Sequence, residues 1–178
     1  MSIPNISNIF SDFTNAVVGT NTIVSKLKQE LQDLEDDCKG ADKSGGVFNK
    51  SGAPNGSDLV NDYLSLVATL HPAAGTPAAA QLAALQQCPA FASLFKSATA
   101  VATKVGNFGG GTEHFSYDDG QTVEGVTLKD LANNYNNPNY IIEGGITANY
   151  LVNFSDFTVN GADFSGAANS IASILSKL

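Results

Sequence analysis

The densest run of functional groups in the chain is Thr112-Glu-His-Phe-Ser-Tyr-Asp-Asp-Gly120. If this run is a strand, His114 and Ser116 share one face and Glu113, Phe115 and Tyr117 share the other, because side chains alternate. An imidazole beside a serine hydroxyl, with Asp118 or Asp119 near, is raw material for general-base or nucleophilic catalysis. One functional expectation is therefore a small hydrolase or isomerase centred on His114, assisted by Ser116, Tyr117 and Asp118. Residues two apart on one strand rarely reach the geometry that nucleophile, base and orienting acid require, so a polar hairpin is the preferred reading. His71, the other histidine, stands before Pro72 where a helix must stop, and its imidazole is placed to meet the last free carbonyls.

Metal and cofactor chemistry find little to work with. Zinc wants three or four close His or Cys ligands, whereas Cys38, His71, Cys88 and His114 are scattered, so no metal site is expected. Asp118, Asp119 and Glu124 surround a glycine turn without the spacing of an EF-hand loop, and read as a solvated acidic turn. Gly109-Gly-Gly111 has neither the G-x-G-x-x-G spacing nor a P-loop lysine, and no cofactor is expected. Cys38 and Cys88 either remain two thiols or close a loop of about fifty residues, which would stabilise by roughly 4 kcal/mol.

Composition narrows the partners. The 178 residues carry 17 Asp+Glu against 9 Lys+Arg, a net charge of −8. Nucleic-acid binding needs clustered Lys and Arg, and anionic membrane surfaces attract the same groups, so both are excluded as partners. No stretch approaches the roughly 18 apolar residues of a membrane span. Met1-Ser-Ile-Pro-Asn lacks the basic start and apolar run of a signal peptide. The last tripeptide, Ser176-Lys177-Leu178, resembles a peroxisomal targeting signal, although Ser25-Lys-Leu27 repeats it inside a helical pattern. The expected location is peroxisomal in a eukaryote, and otherwise secreted or cytoplasmic.

The elements that must position these groups are legible from periodicity. From Ile6 to Leu34 apolar residues recur every three or four positions, the signature of one long amphipathic helix with Gly19 as its weak point. Residues 40–57 read as a loop. Ser57 is placed to cap a second helix that stops at His71-Pro72, and Thr76-Pro77 opens a third through Gln87. Pro89 breaks or kinks the run, which continues at helical spacing through Phe91, Leu94, Phe95, Ala98, Val101 and Val105.

Beyond Gly106 the pattern changes. Short β-like runs at 114–117, 140–143 and 157–159 precede Asp-Gly, Gly-Gly and Asn-Gly dipeptides, which suit tight hairpin turns. Thr127-Leu-Lys-Asp130 resembles a capping box for a short helix, and Ser165 is placed to cap a closing one. Phe10-Ser-Asp-Phe-Thr14 recurs as Phe154-Ser-Asp-Phe-Thr158 without a repeating period, so it signals no repeat architecture.

The expected fold is α+β: an N-terminal bundle of three or four helices, then a small antiparallel β-hairpin sheet and a C-terminal helix. It reads as one domain over 1–178, with a helical half at 1–105, a β-rich half at 106–164 and a closing helix at 165–178. The expected function is a non-catalytic soluble binding protein for an apolar small molecule or a protein partner. Phe91, Leu94 and Phe95 are the candidate ligand-binding residues, although such a stripe serves as core more often than as cavity. A self-associating structural protein is a further alternative, since 73–102 carries Lys96 as its single charge and must be buried against other helices, a ligand or another subunit.

Overall fold

The apolar period of the N-terminal third demands a long helix, and the chain forms α1 (Ile6–Lys43). The computed structural model describes residues 6–118 and 120–178, with side chains from Thr22 on. The inward positions read at 6–20, the Gly19 bend, the first copy of the repeated pentapeptide and Asp119 lie outside those descriptions. The helix runs past Leu34 because Leu27, Leu31, Leu34, Cys38 and Ala41 keep the same spacing and are all buried. It ends where Gly45 and Gly46 adopt positive φ, and the Gly46 N–H donates to the Ala41 carbonyl at 2.7 Å.

Three helices pack after it: α2 (Gly56–Leu70), α3 (Pro77–Leu85) and α4 (Pro89–Gly106). Asn55, rather than Ser57, caps α2, its side chain accepting from the Ser57 N–H at 3.1 Å. Thr76 caps α3 with Pro77 in its first turn, and Pro89 opens α4 instead of kinking a longer helix. The uncharged stretch departs from expectation. The fold buries Leu82 of α3 but leaves Ala78, Ala80, Ala83 and Ala84 exposed, because α3 reaches the rest of the protein through a small satellite cluster of Ile23, Leu82 and Phe91.

The second half supplies three strands of a four-stranded sheet in the order β1-β4-β2-β3, with every neighbouring pair antiparallel. Its strands are β1 (Val47–Phe48), β2 (His114–Tyr117), β3 (Gln121–Val123) and β4 (Phe157–Asn160). The Asp-Gly signal is realised as the β2–β3 turn. The other two are not hairpins: Ile141 makes an isolated bridge to Thr147 around a 3₁₀ turn at Glu143–Gly145, and Asn160-Gly161 leads into a helix. The edge strand β1 comes instead from the stretch read as loop.

The remaining helices are α5 (Leu128–Asn133), α6 (Ala148–Phe154) and α7 (Phe164–Leu175). The Thr127–Asp130 capping box of α5 is present. Asp163, rather than Ser165, caps α7 by accepting from the Gly166 N–H at 2.9 Å. The chain is thus α+β, with a helical N-terminal region and a closing helix.

Phenylalanines join the sheet to the helices. Phe48 stacks on Phe157 at 4.9 Å between centroids, and Phe164, the first residue of α7, meets Phe48 at 5.8 Å and Phe108 at 4.8 Å. Phe115 adds an edge-to-face contact with Phe157 at 6.0 Å. The glycine loop serves this packing: Gly109 has φ +93°, and a Cβ there would stand 2.4 Å from the Phe115 ring.

Asn49 ties the β1–α2 connection to the end of α6 and the link from α6 to β4. Its φ of +66° suits asparagine, its Nδ2 donates to the carbonyls of Val152 and Ser155 at 2.8 and 2.7 Å, and its Oδ1 accepts from the Gly56 N–H at 2.7 Å. Asn49→Ala removes three bonds worth roughly 1 kcal/mol each, so urea unfolding is expected to show a loss of about 3 kcal/mol. A loss below about 1 kcal/mol would refute the tie.

Candidate functional site

Strand β2 places the residues of the proposed catalytic cluster as alternation requires, and the outcome is structural. Phe115 and Tyr117 point into the core, while His114 and Ser116 lie on the half-buried outer face opposite Asn160 and Thr158. The Asn160 Nδ2 donates to Ser116 Oγ at 2.8 Å, which occupies the hydroxyl as an acceptor. Among the described residues, nothing hydrogen-bonds to the His114 imidazole. Glu113 accepts from the Gly109 N–H at 3.0 Å and thereby closes the glycine loop. Asp118 is exposed at the β2–β3 turn with φ +35°. Among the described residues, which leave out Asp119, the cluster therefore offers no base oriented by an acid.

The other sequence candidates are dispersed. Cys38 is fully buried in α1 and Cys88 is exposed before α4; both are free, so the bridge weighed between them is not formed. Burial, reinforced by the charge of Asp37, pushes the Cys38 thiol up to about 12, which keeps it protonated and unreactive. His71 is exposed and terminates α2, its own N–H donating to the Val67 carbonyl at 2.9 Å. Among the described residues no three His, Cys, Asp or Glu side chains stand where a metal ion could bind them. No described helix is long and apolar enough to cross a membrane.

Phe91, Leu94 and Phe95 do not enclose a cavity together. Phe91 belongs to the satellite cluster, Phe95 packs between that cluster and the main core, and Leu94 alone turns to a groove. That groove, about 390 Å³, is the crease between α4 and α7. On α4 it takes Leu94, Ser97, Val101 and Lys104, at helical spacing, with Ala100 at its margin. On α7 and just beyond, it takes Ser170, Ser173, Ile174 and Lys177, again one face. Leu94, Val101 and Ile174 make an apolar floor. Its volume lies toward the lower end of the range usual for small-molecule sites, about 300–1,000 Å³.

The two helices run antiparallel along the groove, since Lys104, near the end of α4, meets Asp163 at the start of α7. The Lys104 Nζ is 2.9 Å from Asp163 Oδ2, and this ammonium and the Gly166 N–H hold the Asp163 carboxyl below its usual value. Lys177 lies at the opposite end. Sequence reading overlooked Lys104 and took Lys177 only as part of the terminal tripeptide. The signal was there, in two short stripes of serine and lysine spaced three and four apart, but only the packing of α4 on α7 shows that the stripes face each other.

Two further hollows, of about 460 and 500 Å³, flank the sheet. One is lined by Lys50, Ser116, Asp118, Asp156 and Thr158, and the other by Gln121, the Gly144-Gly145 turn and Tyr150, with Tyr117 between them. They hold hydrogen-bonding groups but no nucleophile paired with a base. The exposed Ile141, Tyr150 and Phe154 all fall in this region of the chain.

No family model matches the chain, and no curated protein or solved structure is detectably similar to it.

The strongest electrostatic perturbation lies away from all of these hollows, between α1 and α2. Burial raises the Asp37 carboxyl above its usual range, its hydrogen bond with Asp62 raises it further, and the charges of Asp62, Asp58 and Asp33 act in the same direction. Asp37 Oδ2 is shut off from solvent with no N–H or hydroxyl donor in reach. Two carboxylates offer only acceptors, so the Asp37–Asp62 contact is a hydrogen bond only when one carboxyl keeps its proton. Glu30, whose Oε1 accepts from Thr69 Oγ1 at 2.7 Å, is likewise raised by burial.

An acid whose folded pKa is raised binds more protons folded than unfolded, so stability falls as pH rises above the ordinary carboxylate range of about 4. Unfolding free energy is therefore expected to be higher near pH 5 than near pH 8. Asp37→Asn is expected to flatten that dependence and to add about 1–2 kcal/mol near pH 8 after solvent screening. Urea titrations at the two pH values measure it, and equal slopes for both proteins would refute the shared proton.

Proposed function

We propose that this is a non-catalytic binding protein that takes the apolar part of a small molecule into the α4–α7 groove. The observation that carries this reading is the groove's construction: a floor of Leu94, Val101 and Ile174 walled by Ser97, Ser170 and Ser173, in a crease between packed helices. Pockets between helices are a common ligand position, and an apolar floor with a few hydrogen-bonding groups gives affinity and orientation together.

A hydrolase or isomerase centred on His114 is less well supported, because no acid among the described residues orients that imidazole and Ser116 is engaged by Asn160. Self-association is the second reading, favoured by the exposed alanines of α3, which a second copy would cover. In a eukaryotic cell the Ser176-Lys177-Leu178 tripeptide would direct the protein to peroxisomes; elsewhere it would be secreted or cytoplasmic.

An NMR titration with octanoate and with 1-octanol tests the groove. Resonances of Leu94, Val101 and Ile174 are expected to shift, and Ala100→Trp, which fills the groove from an exposed position, is expected to abolish the shifts with helical content unchanged. The reading fails if neither probe moves these resonances at millimolar concentration. Light scattering on the same samples addresses self-association, which a monomer at every concentration would eliminate. For the address, a fluorescent fusion with a free C-terminus is expected to be peroxisomal in yeast and diffuse once the tripeptide is removed; a fusion diffuse in both forms would reject it.

A further inference from the structure

Both charged side chains that line the α4–α7 groove are lysines, although acidic residues outnumber basic ones 17 to 9 in the chain. The lysines are not equivalent. Lys104 is already paired with Asp163 at 2.9 Å, and that carboxylate is fixed in turn by capping α7 through the Gly166 N–H. No acidic side chain pairs with Lys177 among the described residues. Ser173 and Ser170 lie four and seven positions before Lys177, so all three share one face of α7 and its end. Their hydroxyls make no hydrogen bond to the described residues, whereas Ser97 Oγ donates to the Ser93 carbonyl at 3.1 Å. Among the described residues, the Lys177 end of the groove therefore holds a positive charge and two hydroxyl donors without partners, beside an apolar floor.

From this arrangement we infer that the ligand is an anionic amphiphile, with a carboxylate or phosphomonoester head held by Lys177, Ser173 and Ser170. This rests on the reading of the groove as a binding site and adds the head-group chemistry and orientation. The short apolar body lies over Leu94, Val101 and Ile174 and points toward Lys104. An ammonium and hydroxyls satisfy an oxyanion with charge-assisted hydrogen bonds, and a neutral alcohol of the same length forgoes the charge. The field of a net −8 protein opposes anions in general, so selectivity must come from this local constellation.

The test compares octanoate, octyl phosphate and 1-octanol by calorimetry and NMR at pH 7 in 20 mM salt. Octanoate and octyl phosphate are expected to bind about twofold to fivefold more tightly than 1-octanol, the advantage an exposed ion pair supplies, and 0.5 M salt is expected to narrow the gap. Lys177→Ala is expected to bring all three probes to the affinity of 1-octanol. Lys96→Ala, at an exposed lysine of α4 that does not line the groove, is expected to leave the preference in place. Lys177 and Lys96 are both exposed, so folding is not at stake. Equal binding of the three probes by the unmodified protein, or a preference that survives Lys177→Ala, overturns the inference while leaving the groove reading intact. Absence of binding by all three overturns the groove reading itself.

Discussion

The contact on which most of the architecture depends is the seating of Phe164 between Phe48 and Phe108. Phe48 belongs to the edge strand, Phe108 to the turn after α4, and Phe164 to the first turn of α7. One aromatic junction thus fixes the closing helix to both halves of the chain. Aromatic pairs add directional preference to the large area they bury, so such a junction sets angles as well as distances. Phe157 extends it to the centre of the sheet through Phe48 and Phe115. The glycine loop exists in this form because only a residue without a Cβ fits against the Phe115 ring at Gly109.

The groove follows from that seating. Once Phe164 anchors the start of α7, Asp163 faces Lys104, and the salt bridge together with the N-cap aligns α7 antiparallel to α4. Ile171 and Ile174 are buried along the seam, leaving serines and Lys177 at its margin. Burial and the nearby acids Asp62, Asp58 and Asp33 raise the Asp37 carboxyl between α1 and α2, while both charged groups in the crease of α4 and α7 are lysines. Desolvation therefore favours a proton at Asp37, while Lys177 has no acidic partner among the described residues.

The apolar period of three or four made α1, α2 and α4 legible, because a helix that buries one face must repeat in this way. The sheet was legible only in part. Asp-Gly gave the β2–β3 turn, but Gly-Gly and Asn-Gly offered the same positive-φ chemistry to a bridge and to a helix entry. Two-residue β1 has no period to detect, and α6 was hidden because its Thr147 cap precedes only two turns. The alanine-rich α3 misled in another way. Low charge announces burial only if a partner is present, and within this chain none covers its alanines.

Sequence alone determined the α+β class, the long first helix and the capping box at Thr127, because each rests on local spacing. Tertiary structure decided which candidates meet. It separated Cys38 from Cys88, left His114 without an orienting acid among the described residues, and brought the serine and lysine stripes of α4 and α7 to opposite sides of one crease. Residues some seventy positions apart share a groove only through the packing of their helices. Periodicity defines the face each helix buries, but the face it meets depends on the Phe164 junction and the closure of the whole chain.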